Sequence, residues 1–346
     1  MNPWILWPNL FALSSNMSPI NTLFKLEDVF NRVPPAFAPN SSSTATRILD
    51  CQNTLGECIL FDEAKNEVVW EDIAGKQLHI LNLTNGQHTF CQFQKMLCAF
   101  ALRPEGEEGY LFAWEDGFQL YSAHNNKALS AMSEGESVNP KGLPTRLNDG
   151  RVDPTGKRFI CGGYYGDVEE NYMKVFKCEM SNDAAELKLK HEAVVEKVQV
   201  TNSICWSLDG NTMYLADSPT STIFKHDYDT ETGVLSNRRV VRKYEVGVPD
   251  GSCTDSQGNI WNAVWRNGVG QSMVRCIDPK NGEILHTVEL PDNTSQLTCC
   301  CFGGPDLDTL FITSAHIHRD LQKEPHAGSL YAVRVGVKGR LEKRFS

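Results

Sequence analysis

A chain of 346 residues with 41% hydrophobic and 22% charged content has the make-up of an ordinary globular protein with enough apolar material for a sizeable core. Its net charge of −10, with no run of Lys and Arg, argues against nucleic acid as a partner. No stretch approaches the ~18 consecutive apolar residues that cross a bilayer, and none of the twelve cysteines stands in a C-x-x-C pair, which argues against a structural zinc site.

Residues 1–45 read as an N-terminal arm and linker, set apart by Pro34-Pro35-Ala36-Phe37-Ala38-Pro39 and the polar run that follows. Within the arm, residues 4–13 are apolar, but Pro8 and Asn9 interrupt them and no basic residue precedes them, as a secretory signal requires. A targeting segment is kept as the alternative to a loosely packed arm. Cysteines scattered through apolar runs read as reduced core residues, which points to a reducing, cytoplasmic setting.

From about Thr46 the chain turns into short β runs separated by turn signals. Units begin near Ile59, Ala99, Gly150, Ser203, Gly251 and Cys299. Each opens with a short apolar strand, passes a polar turn such as Asp153-Pro154-Thr155-Gly156, and continues into a second and usually a third strand. A repeat of roughly 40–50 residues built from several strands is the mark of a propeller blade. The predicted fold is therefore all-β, a six-bladed β-propeller over residues 46–346. The N-terminal strand Thr44–Asp50 closes the last blade beside Gly328–Val335, which leaves no open edge in the ring. Helical periodicity rises only over Asp183–Val195. Trp114, Trp206 and Trp261 fall at positions expected between blades.

Polar residues recur just upstream of the first strand in four units. These are Glu57 in the first, Arg146, Asn148 and Asp149 in the third, Asn202 in the fourth and Asp250 in the fifth. Taken singly, each reads as a turn residue. In one register, at the entrance to the innermost strand of different blades, they can converge on the central channel. Oxygen ligands without Cys or His suit a hard cation such as calcium, magnesium or manganese.

At these positions the sequence resembles the gluconolactonase, regucalcin and luciferin-regenerating enzyme family. The stretches are LGE (55–57), VVWEDI (68–73), RLNDGRVDPTG (146–156), WSLDGNTMYLADSP (206–219), VPDGSCTDSQGNIWNA (248–263) and CCCFGG (299–304). The resemblance spans nearly all of residues 47–336. It implies that Glu57, Asn202 and Asp250 hold one divalent cation, calcium first, with magnesium, manganese or zinc as alternatives. It also implies that Arg146 and Asn148 contact substrate, that Asp149 belongs to the same signature, and, by analogy, that Asp217 lies near the channel and contacts substrate. The chain departs from the family pattern in three places. Cys58-Ile59 stands where the family has Gly-Pro, Ser203 follows the asparagine in place of Gly, and Tyr164-Tyr165 follow Gly163 in place of Thr-Met.

The expected activity is metal-dependent hydrolysis of a lactone or related cyclic ester, with Asp250 as general base. Attack on a phosphoester by Asp250, isomerisation of a metabolite on the same platform, and calcium binding without turnover are the alternatives. A small-molecule substrate and a monomer or weak homo-oligomer are expected, with neither membrane nor nucleic acid as partner.

Overall fold

The structure is a computed structural model that describes residues 22–33, 37–139, 143–165, 173–181, 187–266 and 272–346. The apolar run 4–13 and residues Pro34–Ala36 lie outside the described residues. The described residues form six sheets, each with four strands running antiparallel from the axis outward, so the six predicted units are six blades.

The innermost strands are Gly56–Asp62, Leu97–Leu102, Thr145–Val152, Thr201–Trp206, Val248–Thr254 and Leu297–Gly303 for blades one to six. Nearly every residue in them is buried, as expected of strands covered on both faces. In all six, the pairing with the second strand slips by an extra residue, at Glu57/Leu60, Leu97/Ala99, Leu147/Gly150, Asn202/Cys205, Pro249/Ser252 and Leu297/Cys300. A bulge bends its strand and re-aims the side chains beside it. Six bulges at one level form a ring around the axis.

Buried aspartates in the turns hold blades together. Asp153 is fully buried, accepts hydrogen bonds from the amides of Thr155 and Arg158, and pairs with the Arg158 guanidinium at 3.1 Å. The Tyr228 hydroxyl of blade four donates to the same carboxylate at 2.8 Å. Trp261 and Trp206 are buried in the apolar clusters near the blade contacts, and Trp114 joins the blade two cluster, as the sequence indicated. All twelve cysteines carry free thiols, ten of them buried. Among the described residues no helix is long and apolar enough to cross a membrane.

Strand Thr46–Leu49 pairs antiparallel with Leu330–Arg334 and completes blade six, as expected. Two segments upstream of it also pack on the ring. Helix Thr22–Phe30 buries Leu26 and Val29 among Ile48, Leu330 and Ala332 of blade six. Ser41–Thr44 adds a fifth, parallel strand to the outer edge of blade five, where Ser41 and Ser43 hydroxyls meet the two ring nitrogens of His286 at 2.6 and 2.9 Å. The segment with helical periodicity is a strand: Leu189–Val198 forms the outer edge of blade three, and residues 182–186 lie outside the described residues. Its alternating exposure on an edge strand carries polar residues that a periodicity count reads as a helix face.

The C-terminal residues cross the ring at the far ends of the innermost strands. Gly339 donates to Leu307, Arg340 to the carbonyl of Ser207, and Arg344 to Asp62 and Glu63. Phe345 bonds Leu102 through its amide, and Ser346 bonds Gly156. Glu342 reaches 3.7 Å from the buried Arg151 in the channel.

Blade one carries a pair of histidines held neutral. His79 stacks on Trp70 and bonds His88 at 2.9 Å. Burial pushes His79 down to about 3 and His88 down to about 4. A histidine depressed in the folded state binds fewer protons there than in the unfolded chain, so its stabilising contribution is complete above about 6.5 and is lost as pH falls toward 4. His88→Gln is expected to flatten the fall in melting temperature between pH 6.5 and 4.5 relative to the parent chain. An unchanged slope in a pH series of thermal melts contradicts this assignment.

Candidate active site

The ring of bulges brings the sequence-predicted residues together at the start of the innermost strands. Asn148 donates from Nδ2 to the Thr201 carbonyl at 2.8 Å and to Asn202 Oδ1 at 3.0 Å. Asn202 Nδ2 donates to Ser218 Oγ at 2.8 Å, and Ser218 passes a bond to the Pro249 carbonyl at 2.7 Å. This chain ties blades three, four and five and fixes the Asn202 amide, whose Oδ1 accepts from Asn148 and keeps a second lone pair for a cation. Arg146 donates to Asn148 Oδ1 at 2.5 Å and stacks its guanidinium over the Tyr164 ring at 4.2 Å. Tyr164, a departure from the family pattern, thus packs directly on a predicted substrate contact.

The carboxylates are crowded and short of partners. Glu57 and Asp250 are buried, and Asp250 Oδ1 has no hydrogen-bond partner. Burial, with the Asp149 carboxylate adding to it, pushes Glu57 up to about 8. Burial and then the Glu57 and Asp149 charges hold Asp250 well above the ordinary carboxylate range. Repulsion between buried carboxylates with an orphaned oxygen is what a cation would relieve, so the donor set fits a divalent ion. Two carboxylates and an amide oxygen are hard ligands.

Asp149 has a supporting place: its Oδ2 accepts the Ile204 amide at 2.9 Å across the blade boundary. Asp217 Oδ1 accepts the amides of Val200 and Gln199 at 3.0 and 3.2 Å, so that oxygen braces the connection from blade three to blade four.

Three features escaped the sequence reading. Glu71 is fully buried opposite Glu57 in the strand register, with neither oxygen bonded, and burial followed by the Glu57 charge drives its carboxyl up. Arg151 sits in the channel with Nη2 3.4 Å from both the Ser252 carbonyl and Cys299 Sγ. Asn262, fully buried, donates to the Asp250 carbonyl at 2.8 Å and to Ser252 Oγ at 2.9 Å, which fixes the strand that carries Asp250. The strand patterns of VVWED and NIWNA offered no sign that Glu71 and Asn262 lie beside the strands of the predicted ligands.

The residues after two of the predicted ligands adopt left-handed backbone, with φ of 38° at Cys58 and 61° at Ser203. This conformation costs a residue with a Cβ about 1–2 kcal/mol. Ser203 offsets part of that cost through a 2.6 Å bond to Ser252 Oγ. Ser203→Ala loses the bond and keeps the strain, whereas Ser203→Gly loses the bond and relieves it. Urea melts are expected to rank Ser203→Gly above Ser203→Ala by about 1 kcal/mol; the reverse order removes strain from the account.

The sequence profile of the SMP-30/Gluconolactonase/LRE-like region matches residues 55–316. Regucalcin of Danio rerio is 34% identical over 313 residues, covering 86% of this chain and 97% of that protein. The 6-deoxy-6-sulfogluconolactonase of Pseudomonas putida is 31% identical over 301 residues, covering 85% and 96%. Among solved structures, regucalcin from Agrobacterium tumefaciens, described as a calcium-binding protein, superposes with a TM-score of 0.75 at 28% identity, over 88% of this chain and 99% of that one. A luciferin-regenerating enzyme superposes with a TM-score of 0.73 at 25% identity over the same shares.

Proposed function

The chain belongs to the SMP-30/gluconolactonase/LRE-like family, and from that premise we propose that it is a metal-dependent hydrolase of a lactone or related cyclic ester. The observation that supports this most is that Asp250, buried near enough to Glu57 for its charge to be felt, has an Oδ1 lacking any partner. Relatives named as a sugar-acid lactonase and as calcium-binding regucalcin fit the same reading.

Glu57, Asn202 and Asp250 would hold the ion, calcium first. When bound there, a divalent cation supplies charge compensation and Lewis-acid polarisation of a carbonyl oxygen. Arg146, rigid between Tyr164 and Asn148, orients substrate oxygens together with Asn148, and Asp217 supplies a further contact. Asp250 takes the proton of the attacking water. Residues 46–346 form the catalytic unit and 1–45 the arm, acting as a monomer or weak homo-oligomer on a small molecule in the cytoplasm.

The deciding experiment is a hydrolysis screen of γ- and δ-lactones, aromatic esters and phosphotriesters with added calcium, magnesium, manganese or zinc. Lactone turnover that EDTA abolishes supports the reading. Calcium binding without turnover of any substrate replaces it with a binding protein.

The raised carboxyls also fix the pH dependence of metal stabilisation. In the metal-free protein, Glu57 holds a proton up to about 8, so the folded state binds more protons than the unfolded chain above about 4.5. Its contribution to stability therefore declines as pH rises through that window. Calcium replaces those protons, and its effect on melting temperature is expected to be larger at pH 8 than at pH 5.5. Equal shifts at both pH values would show that the ion binds elsewhere.

A further inference from the structure

We propose that the boundary between blades four and five, around Tyr244, is a binding site for a small oxyanion of the phosphate type. Its walls are Arg242, on the outer strand Leu235–Lys243 of blade four, and Arg275, on the third strand Met273–Ile277 of blade five. Both guanidinium groups lie over the one Tyr244 ring, at 5.7 and 5.2 Å from its centre. Burial, and after it the charges of Arg242 and Arg266, weaken the hold of Arg275 on its proton.

Several buried or half-buried arginines of this chain are paired with carboxylates. Arg158, Arg334 and Arg344 each pair with one or more carboxylates. Among the described residues no carboxylate pairs with Arg242 or Arg275, in a chain that carries ten excess negative charges. Arg242 spends one nitrogen on the Gly282 carbonyl at 2.6 Å, while its Nε is buried with no partner. Arg275 makes a single weak bond, from Nε to Met273 Sδ at 3.4 Å. Like charges gathered around an aromatic ring, with donors left open, are arranged for an anion that accepts from two planar forks at once. The stacking on Tyr244 holds the forks in place before the anion arrives.

The site is distinct from the channel mouth yet connected to it. Tyr244 is buried, and its hydroxyl donates to Asn262 Oδ1 at 2.8 Å. Asn262 in turn holds the Asp250 carbonyl. An anion between Arg242 and Arg275 therefore presses on a ring that is two bonds from the strand bearing Asp250.

The test uses inorganic phosphate and the full chain, with EDTA present so that phosphate has no cation to bind, at an ionic strength held constant with chloride. Calorimetry and thermal melts are expected to show saturable binding and a rise in melting temperature. Arg275→Gln and Arg242→Gln are each expected to weaken phosphate at least tenfold, and Arg275→Lys less than Arg275→Gln, because the charge survives without the fork. Asp250→Asn leaves phosphate affinity intact, which separates this site from the proposed catalytic one. Circular dichroism without phosphate identifies a variant that has failed to fold, and the Arg275→Lys measurement then carries the comparison. A shift no larger than that given by chloride, or full phosphate binding in a folded Arg242→Gln/Arg275→Gln chain, overturns the proposal.

Discussion

Asp250→Asn is expected to lower the turnover of a lactone by about 10²–10⁴-fold even when calcium is saturating. Asparagine keeps the shape of the side chain and one coordinating oxygen, and it removes the proton acceptor and a unit of charge. Glu57→Gln removes the same charge from the same cluster without touching the proposed base. Its loss is expected to appear as weaker calcium affinity, with much of the rate restored as calcium is raised. The two variants must be compared across a calcium titration, because an empty site imitates a missing base. If Asp250→Asn regains near-normal turnover at high calcium, Asp250 is a ligand alone, and the water is activated by the metal itself or by another group such as Asp217.

Phe345→Ala is expected to destabilise the protein by about 3–5 kcal/mol, the usual cost of emptying an aromatic core position. Phe345 is the penultimate residue, yet it is 1% exposed and packs in the cluster that joins blades one, two and three. Its amide also bonds the last residue of the blade two inner strand, at the opposite end of the ring from the proposed ligands. Stability in urea should therefore fall steeply while kcat/KM, measured well below the melting temperature, stays close to that of the parent. A loss below about 1 kcal/mol would show that the tail is only draped over the base of the ring.

Much of this molecule is written in its repeats. Six strand–turn–strand units and the register of Glu57, Asn148, Asn202 and Asp250 were legible because a blade must repeat its apolar spacing and its turn chemistry. What the sequence hid follows other rules. Lys338–Ser346 looks like a solvated tail, since it docks through backbone bonds and charged side chains that leave no apolar period. Arg151 lies in the turn-rich run RLNDGRVDPTG and reads as a surface charge until the ring closes around it. Ser41–Thr44 carries no hydrophobic signal because an added edge strand is held mainly by its backbone. The positive φ at Ser203 is equally silent: the family pattern marks that position with glycine, and this chain puts a side chain there.

The way the two ends of the chain meet also bears on how the protein is made. Thr46–Leu49 leaves the ribosome about 280 residues before its partner Leu330–Arg334. At about 5–20 residues per second, that is a wait of roughly 15–55 s. During it blade six does not exist, and the strand that will complete it has nowhere to pair. Phe345, which fills the core shared by the first three blades, arrives later still. The ring can close only after Leu330–Arg334 has emerged, so the nascent chain carries open strand edges until then. Products truncated before Leu330 would therefore be substrates for chaperones and proteases rather than partly active propellers.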